Sequence, residues 1–262
     1  MSEQEKRIDD KSYDLNKLFD FFEYWKAYTH PTEFYNEGWL LKLLVHAITD
    51  FGLKEHPLYV NEKDKFFSEG LLYSPFLQRF RGDPLAETHT HADGVIGNFE
   101  IGNVNSKGSL HFKGNKLNIF EAKINSGFSK KVSNATFYNQ AARYVACIAK
   151  TIDEADKLEV LNDLSIGFYL VVPEDQYNKK KKNFKKFLDK TDIFDRVKER
   201  VEQYKNEVDY EERIKWLQTK FNPVLEKTVI KPLFYEEIIS KLQDYKYIDE
   251  INNFYKSCIK YN

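Results

Sequence analysis

The chain has 262 residues, of which 42% are hydrophobic and 31% are charged, and its formal net charge at pH 7 is −1. This composition supports a sizeable buried core and excludes a chain that is disordered throughout. Its 11 Gly and 7 Pro exclude collagen-like and low-complexity classes. Because the net charge is near zero, any binding of nucleic acid has to come from a local basic patch.

The sequence also bears on the compartment of the protein. Two cysteines, Cys147 and Cys258, exclude a disulfide framework and a cysteine-rich zinc site. The polar start MSEQEKRIDDKS predicts no secretory signal, and no apolar run approaches the roughly 20 residues that a membrane helix needs. We therefore expect a reduced, cytoplasmic protein with no membrane partner.

Two helices come first in the predicted order of elements. The first covers 13–28 and is broken at His30-Pro31, and the second covers 33–51. Residues 54–80 give mixed signals and stay unassigned. From about 92 to 124 the sequence changes to three short apolar stretches separated by glycine, in which Gly108 and Gly114 indicate hairpin turns. This pattern predicts an antiparallel meander of three strands.

A helix and a buried strand follow the meander. Ser133 or Asn134 can cap a helix that runs to about residue 152, and residues 165–173 indicate a buried strand closed by Pro173. From residue 178 onward the chain is charged and mostly helical. The order predicts an α/β domain over 31–175, with a helical segment at 1–30 and a charged helical region at 176–262.

The strand LNIFEAKI carries the chemistry that matters most. Because side chains alternate across a strand, Glu121 and Lys123 share one face with Leu117 and Ile119. A carboxylate and an ammonium group therefore lie side by side near the end of the strand. Alone, this pattern also fits an exposed Glu–Lys pair on a sheet surface.

Asp93 opens the strand DGVIGNF upstream, and the Gly94 that follows it lets another group approach closely. An Asp at the mouth of one strand beside the Glu and Lys of another forms a site of hard oxygen ligands. Such a site suits Mg²⁺ or Mn²⁺, which prefer oxygen ligands and retain some waters. The adjacent lysine can orient a metal-bound water or stabilise charge on a phosphate.

Two helices supply further candidates. Glu37 lies at the centre of the apolar arc of the second helix, where a buried carboxylate needs a partner. It either faces the same cluster or makes a structural salt bridge or dipole interaction. In the helix after the meander, Gln140 and Tyr144 are four residues apart and share a face, although an ordinary half-buried helix has the same pattern.

Together these motifs resemble the PD-(D/E)XK nuclease superfamily over roughly residues 33–175. Asp93-Gly94 matches its first acidic motif, although His91-Ala92 stands where a proline is often found. Residues 121–123 match its E-x-K motif, and residues 140–144 match the Q-x-x-x-Y helix of its exonuclease-like branch. Glu37 stands where many members carry a helical acidic residue.

The resemblance implies a restriction-endonuclease-like core, with a mixed central sheet flanked by helices and further helices at both ends. It implies a Mg²⁺-dependent (or Mn²⁺-dependent) phosphodiesterase in which Lys123 positions the attacking water. Its implied metal ligands are Asp93, Glu121 and the carbonyl of Ala122, with Glu37 completing the set. Gln140 and Tyr144 border the implied cleft as substrate-binding residues, where they orient Lys123, the metal-bound water or the substrate phosphate.

Other basic residues are candidates for contacts with a nucleic acid. Lys130 and Lys131 lie in a loop beside the predicted site, where they either clamp a phosphate backbone or belong to a solvated connection. His91 shares a strand face with Asp93 and is a candidate for substrate contact. The run KKKKNFKK at 179–186 fits backbone binding and a solvated helix face about equally.

The function predicted from the sequence is a metal-dependent nuclease, with DNA favoured over RNA, in restriction, repair or antiviral defence. The alternatives are a nucleic-acid-binding module that has lost cleavage and a protein-interaction subunit on the same fold. The oligomeric state stays open, and a homodimer is one option.

Overall fold

The computed structural model describes residues 15–87, 90–102, 109–126, 135 and 137–262. Within these residues the protein has an α/β architecture, in which a mixed sheet of seven strands lies between helices on both faces. The strands are β1 (Lys65–Phe67), β2 (Gly70–Leu72), β3 (Thr90–Ala92), β4 (Gly94–Gly102), β5 (Ser109–Ala122), β6 (Ser165–Val172) and β7 (Val229–Phe234).

The described α-helices divide into an early and a late group. The early ones are α1 (Leu15–Trp25), α2 (Glu37–Phe51) and α3 (Gln140–Glu154). The later ones are α4 (Glu174–Lys179), α5 (Lys181–Phe187), α6 (Lys190–Glu202), α7 (Tyr210–Trp216), α8 (Asn222–Lys227), α9 (Tyr235–Ser240) and α10 (Ile248–Tyr261). A π-helical turn at Leu217–Phe221 joins α7 to α8.

β5 organises the sheet, because it pairs with strands on both of its sides. β4 is antiparallel to both β5 and β1, whereas β6 is parallel to both β5 and β7. β2 pairs with the start of β5 in parallel, at Leu71 and Ser109, and β3 is antiparallel to β2. The ends of β5 and β6 therefore lie at the same edge of the sheet.

The alternation predicted for LNIFEAKI is confirmed by the two hydrophobic clusters of the molecule. Leu117 and Ile119 belong to the cluster that packs under α3 and α6, whereas Phe120, Ala122 and Ile124 belong to the cluster under α2 and α10. All five side chains are buried. The strand is covered on both faces, as expected for the centre of a mixed sheet.

The predicted three-stranded meander is wrong in one respect, because residues 109–122 form one continuous strand. Gly114 lies inside β5 and is not a turn, and Gly108 lies outside the described residues. A β-bulge between Gly97 and Phe99 of β4 brings Asn98 close to the glycine. A Cβ at Gly114 would lie 2.4 Å from the Asn98 Cβ, so this glycine serves a close approach between strands.

Two helix starts also differ from the prediction. α2 begins at Glu37 because Asn36 caps it, accepting a hydrogen bond from the Trp39 N–H at 3.0 Å, and Pro31–Glu33 forms a separate 3₁₀ turn. α3 begins at Gln140, where Asn139 accepts from the Ala142 N–H at 2.9 Å. The suggested caps Ser133 and Asn134 lie outside the described residues.

The remaining predictions divide between confirmed and missed elements. The buried strand at 165–173 is confirmed as β6, and the helix predicted at 13–28 appears as α1. The unassigned segment 54–80 contains β1 and β2, and the region predicted as mostly helical also contributes β7 to the sheet. Both described cysteines are free and buried.

Gly94 fixes how closely α2 approaches the sheet. A Cβ at this position would lie 2.9 Å from Leu41 Cδ2 and 3.0 Å from Phe66 Cε2. The missing side chain therefore lets α2 pack directly over the start of β4. This contact brings the first turn of α2, with Glu37, toward the end of β5.

None of the helices in the described ranges combines the length and the apolar character that crossing a bilayer requires.

Candidate active site

Asp93, Glu121 and Lys123 converge at the edge of the sheet where β5 ends. The chain bends at Asp93, between β3 and β4. On the β4 side of β5, the backbone of Ala122 therefore faces the Asp93 side chain and not a strand. The Ala122 N–H donates to Asp93 Oδ2 at 2.7 Å. Lys123 Nζ forms an ion pair with Glu121 Oε1. The three side chains singled out in the sequence thus belong to one cluster.

Burial sets the electrostatics of this cluster. The Glu121 side chain is 1% exposed and that of Lys123 is 14% exposed, so the pair is not the surface ion pair considered as an alternative. Burial raises the pKa of Glu121, against the opposing influence of Lys123. Burial and then the negative charge of Glu121 raise the pKa of Asp93 to about 7, although the hydrogen bond from Ala122 opposes this shift.

Lys123 remains a cation in this setting. Burial lowers the pKa of its ammonium group, but the negative charges of Glu121 and Asp93 and the ion pair with Glu121 outweigh burial and raise it overall. A protonated lysine therefore lies beside two carboxylates that repel each other. Such an arrangement can hold a cation and can donate hydrogen bonds to an anion.

α3 presents Gln140 and Tyr144 to the same carboxylate, as their shared helix face predicts. Gln140 Nε2 donates to Glu121 Oε1 at 2.5 Å, and the Tyr144 hydroxyl lies 2.5 Å from Glu121 Oε2. The same hydroxyl lies 2.7 Å from the His91 carbonyl. The Tyr144 hydroxyl donates to Glu121 Oε2, and this hydrogen bond opposes the effect of burial on the pKa of Glu121.

Tyr144 is fixed by packing as well as by hydrogen bonds. Its ring stacks on Phe168 of β6 at a centroid distance of 5.4 Å, and its side chain is buried. The two short contacts to Glu121 therefore come from a rigid helix that is seated on the sheet. This placement holds the Glu121 carboxylate in one orientation.

Glu37 lies in the first turn of α2 and is half-buried. Its negative charge contributes to the raised pKa values of Glu121 and Lys123, which places it beside the cluster. It also adjoins the end of α10, where Cys258 Sγ lies 3.7 Å from the Asn36 carbonyl oxygen. No hydrogen bond between Glu37 and the two carboxylates is found among the described residues.

His91 borders the site but is directed to solvent. Its imidazole is exposed, and Nδ1 lies 3.2 Å from the carbonyl oxygen of Glu69, in the turn between β1 and β2. Glu69 has a φ of 55°, an uncommon value for a residue with a side chain. Its charge also contributes to the raised pKa of Asp93. The sequence missed Glu69 because it lies in the segment without a clear pattern.

The loop beyond β5 is anchored by another residue that the sequence missed. Gln176 of α4 accepts a hydrogen bond from the Asn125 N–H at 2.7 Å, and its amide donates to the Ser126 carbonyl. The predicted phosphate contacts Lys130 and Lys131 lie outside the described residues.

The donors around Asp93 fit a divalent cation in their chemistry. The buried carboxylate of Glu121 and the half-buried one of Asp93 repel each other, so both gain from a positive charge between them. The Ala122 carbonyl points to the same side of β5 as its N–H. In the described ranges no three or more His, Cys, Asp and Glu side chains form a group that could hold a metal ion. The structure thus brings Asp93 close to Glu121, and the charge of Glu37 acts on Glu121.

Comparisons of the chain with protein-family models, with curated proteins and with solved structures each give no match.

Proposed function

We propose that the protein is a Mg²⁺-dependent nuclease that hydrolyses phosphodiester bonds, with DNA favoured over RNA. The observation that carries the proposal is the buried Glu121 beside the half-buried Asp93, with Lys123 in an ion pair with Glu121. Like-charged carboxylates close together are costly for stability, and such strained arrangements are typical of functional sites. Among reactions, metal-assisted hydrolysis of a phosphodiester uses all three groups.

We also propose that the fold is restriction-endonuclease-like. The order of α2, β4, β5, α3 and β6 supports this, since the motif residues lie at the places that the resemblance to the PD-(D/E)XK superfamily implies. Asp93 precedes β4, Glu121 lies at the end of β5, and Gln140 and Tyr144 lie on α3.

Each residue has a role in this proposal. Asp93, Glu121 and the Ala122 carbonyl would hold Mg²⁺, which, when bound, supplies an activated water and neutralises phosphate charge. Lys123 orients the attacking water and donates a hydrogen bond to the oxygen on which negative charge develops. Gln140 and Tyr144 keep the Glu121 carboxylate in place, and Glu37 adds negative charge beside it.

A cleavage assay on three substrates tests the proposal. The full chain is incubated with single-stranded DNA, double-stranded DNA and RNA, each with Mg²⁺ and with EDTA. We expect cleavage with Mg²⁺, faster on DNA than on RNA, and none with EDTA. An Asp93→Asn variant purified in the same way controls for a contaminating nuclease. Failure to cleave all three substrates in Mg²⁺ or Mn²⁺ overturns the proposal, and binding without cleavage supports the binding-module alternative.

A further inference from the structure

A dense group of lysines covers α4 and α5, next to the candidate active site. We call it the lysine platform; its members are Lys179, Lys180, Lys181, Lys182, Lys185 and Lys186. All six side chains are exposed. Residues 174–190 contain seven lysines and three acidic residues, a local net charge of +4 in a chain whose overall charge is −1.

Acidic groups lie at both ends of the platform. Asp175 and Glu236 line a cavity with Lys179 and Lys180, and Asp189, Asp192 and Asp195 line another with Lys185 and Lys186. Among the described residues, the ion pair found for the platform joins Lys186 to Asp192, at 3.7 Å. Glu174 and Asp175 lie in the first turn of α4, ahead of the lysines, and the Glu236 carboxylate accepts hydrogen bonds from the Glu174 N–H and the Tyr255 hydroxyl. In the described part of the chain, the middle of the platform at Lys181 and Lys182 is exposed and makes no ion pair, so the positive surface is strongest there.

Aromatic packing holds the two helices of the platform in place. Tyr177 and Phe184 stack with a centroid distance of 5.4 Å and an interplanar angle of 5°, which joins α4 to α5. Tyr177 also packs edge-on against Phe234 of β7 at 5.3 Å. The apolar side chains of both helices are thus turned inward and the lysines outward.

The platform lies close to the candidate active site. Gln176, one turn before the lysines, binds the backbone of Asn125 and Ser126, which follow Lys123 closely in the chain. Lys179 and Lys180 line a cavity of about 330 Å³ together with Asn125 and the acidic Asp175 and Glu236. The platform therefore adjoins the segment that follows the end of β5.

We infer that the lysine platform binds the phosphate backbone of a nucleic acid and leads it to the candidate active site, an inference that rests on the proposed nuclease function. A row of exposed lysines complements a row of phosphates without reading bases, so binding should not depend on sequence. A membrane surface fits less well, because an interfacial helix exposes apolar side chains beside its lysines, whereas Tyr177 and Phe184 are buried.

Binding measurements without cleavage test the inference. Fluorescein-labelled DNA, single-stranded and duplex, is titrated with the full chain in EDTA at several salt concentrations, and fluorescence anisotropy gives the affinity. The variant carries Lys181→Ala, Lys182→Ala and Lys185→Ala. The charge-matched control carries Lys54→Ala, Lys63→Ala and Lys205→Ala, at exposed lysines outside the platform.

We expect the platform variant to bind at least about 10-fold more weakly at low salt, with the control close to wild type. The slope of log K against log salt should fall by about 2 to 3, since each lost phosphate contact removes about 0.7 to 0.9. Thermal unfolding midpoints of all three proteins should agree. The inference is overturned if the variant and the control lose equal affinity for DNA, or if the variant binds DNA as tightly as wild type does. It is also overturned if wild type binds anionic vesicles but not DNA.

The result separates this inference from the proposed function. If wild type binds through the platform but cleaves nothing in Mg²⁺, the nuclease proposal fails and the binding surface stands. If wild type cleaves and the platform variant has the same KM and affinity, the platform inference fails alone. If the platform variant has a raised KM for DNA and an unchanged kcat, the result supports both the platform inference and the nuclease proposal.

Discussion

At the scale of single residues, the role of Lys123 decides whether the cluster is catalytic or structural. Its ammonium group is the positive charge in contact with Glu121, and its side chain is 14% exposed. A structural partner only has to supply charge, whereas a group that positions water also needs the correct reach and shape. Substitutions at this position therefore distinguish the two roles.

Lys123→Ala should reduce Mg²⁺-dependent cleavage by about 100-fold or more, the effect typical of losing one donor to a developing anion. Binding of DNA and of the metal should be largely retained. Lys123→Arg should also be poorly active, because a guanidinium has a different shape and cannot readily give up its proton. The measurement is the single-turnover cleavage rate. Near wild-type activity in Lys123→Ala would remove the lysine from the mechanism.

Asp93 makes the stability of the metal-free protein depend on pH. Its pKa is raised from 3.8 to about 7 in the folded protein, so the folded state binds more protons than the unfolded state between these values. The free energy of unfolding should therefore fall as pH rises from about 4 to about 7, by at most about 1.4 kcal/mol per pH unit from this group, and should level off above that range. Glu121, whose pKa is also raised, contributes with the same sign.

Urea unfolding in EDTA at a series of pH values measures this dependence. Asp93→Asn cannot titrate at this position, so its stability should change less over the same range. Mg²⁺ should stabilise wild type more at pH 8 than at pH 5, because its ligands have to be ionised. Equal slopes in wild type and Asp93→Asn would show that Asp93 has an ordinary pKa.

At the scale of elements, α3 is the helix that orients the site. It contributes both side chains that contact Glu121 from above the sheet, and its cap and its packing on β6 fix where they point. Sequence spacing alone predicted that Gln140 and Tyr144 share a face. Their common partner could not be predicted, because it depends on how α3 crosses β5.

Tyr144→Phe tests this orienting role of α3. It removes the hydroxyl that contacts Glu121 and the His91 carbonyl but keeps the ring on Phe168. Cleavage should fall by about 10- to 100-fold, as for other groups that orient metal ligands, and stability by about 1 kcal/mol.

Tyr138→Phe is the matched control for Tyr144→Phe. The Tyr138 hydroxyl is buried and has no hydrogen-bond partner in the described part of the chain, so its removal should not lower stability or activity. Chemical denaturation and the cleavage rate give both readouts. Equal activities of the two variants would contradict the orienting role of Tyr144.

At the scale of the whole molecule, a buried ionic network joins the segment before β3 to α3 and α6. Arg200 Nε donates to Glu87 Oε1 at 3.3 Å, Arg143 Nε donates to Oε2 at 3.2 Å, and the Ser74 hydroxyl donates to Oε2 at 2.9 Å. The side chains of Glu87 and Arg200 are 0% exposed. The network therefore locks α3 to the elements on the face of the sheet opposite α2.

Glu87→Ala should lower the free energy of unfolding by about 3 to 5 kcal/mol, because it removes the counter-charge of the buried Arg200 guanidinium. Glu237→Ala, which removes an exposed carboxylate paired with Lys241, should cost about 0 to 1 kcal/mol. Urea unfolding of both variants measures the difference. A cost for Glu87→Ala as small as that of the control would mean that the network is not needed for stability.

The sequence predicts the strands and helices with long, regular patterns, but not the features that depend on distant residues. α2 and α3 have helical patterns and β6 is a continuous apolar run closed by Pro173, and the motifs that contain Asp93, Glu121 and Lys123 are local in the sequence. β1 and β2 are too short to show alternation, and β7 contains Pro232, which argues against a strand. The Glu87–Arg200 pair joins residues 113 positions apart, which no local pattern indicates.

The central claim is that Asp93 and Glu121 support metal-dependent hydrolysis of nucleic acid. The most direct test is the Mg²⁺-dependent cleavage rate of wild type and of Glu121→Gln, measured in parallel on the preferred substrate. Glutamine keeps the shape of the side chain and its contacts with α3 but removes the negative charge. The account predicts cleavage by wild type and a loss of at least about 100-fold in the variant. Equal rates for the two proteins would contradict it.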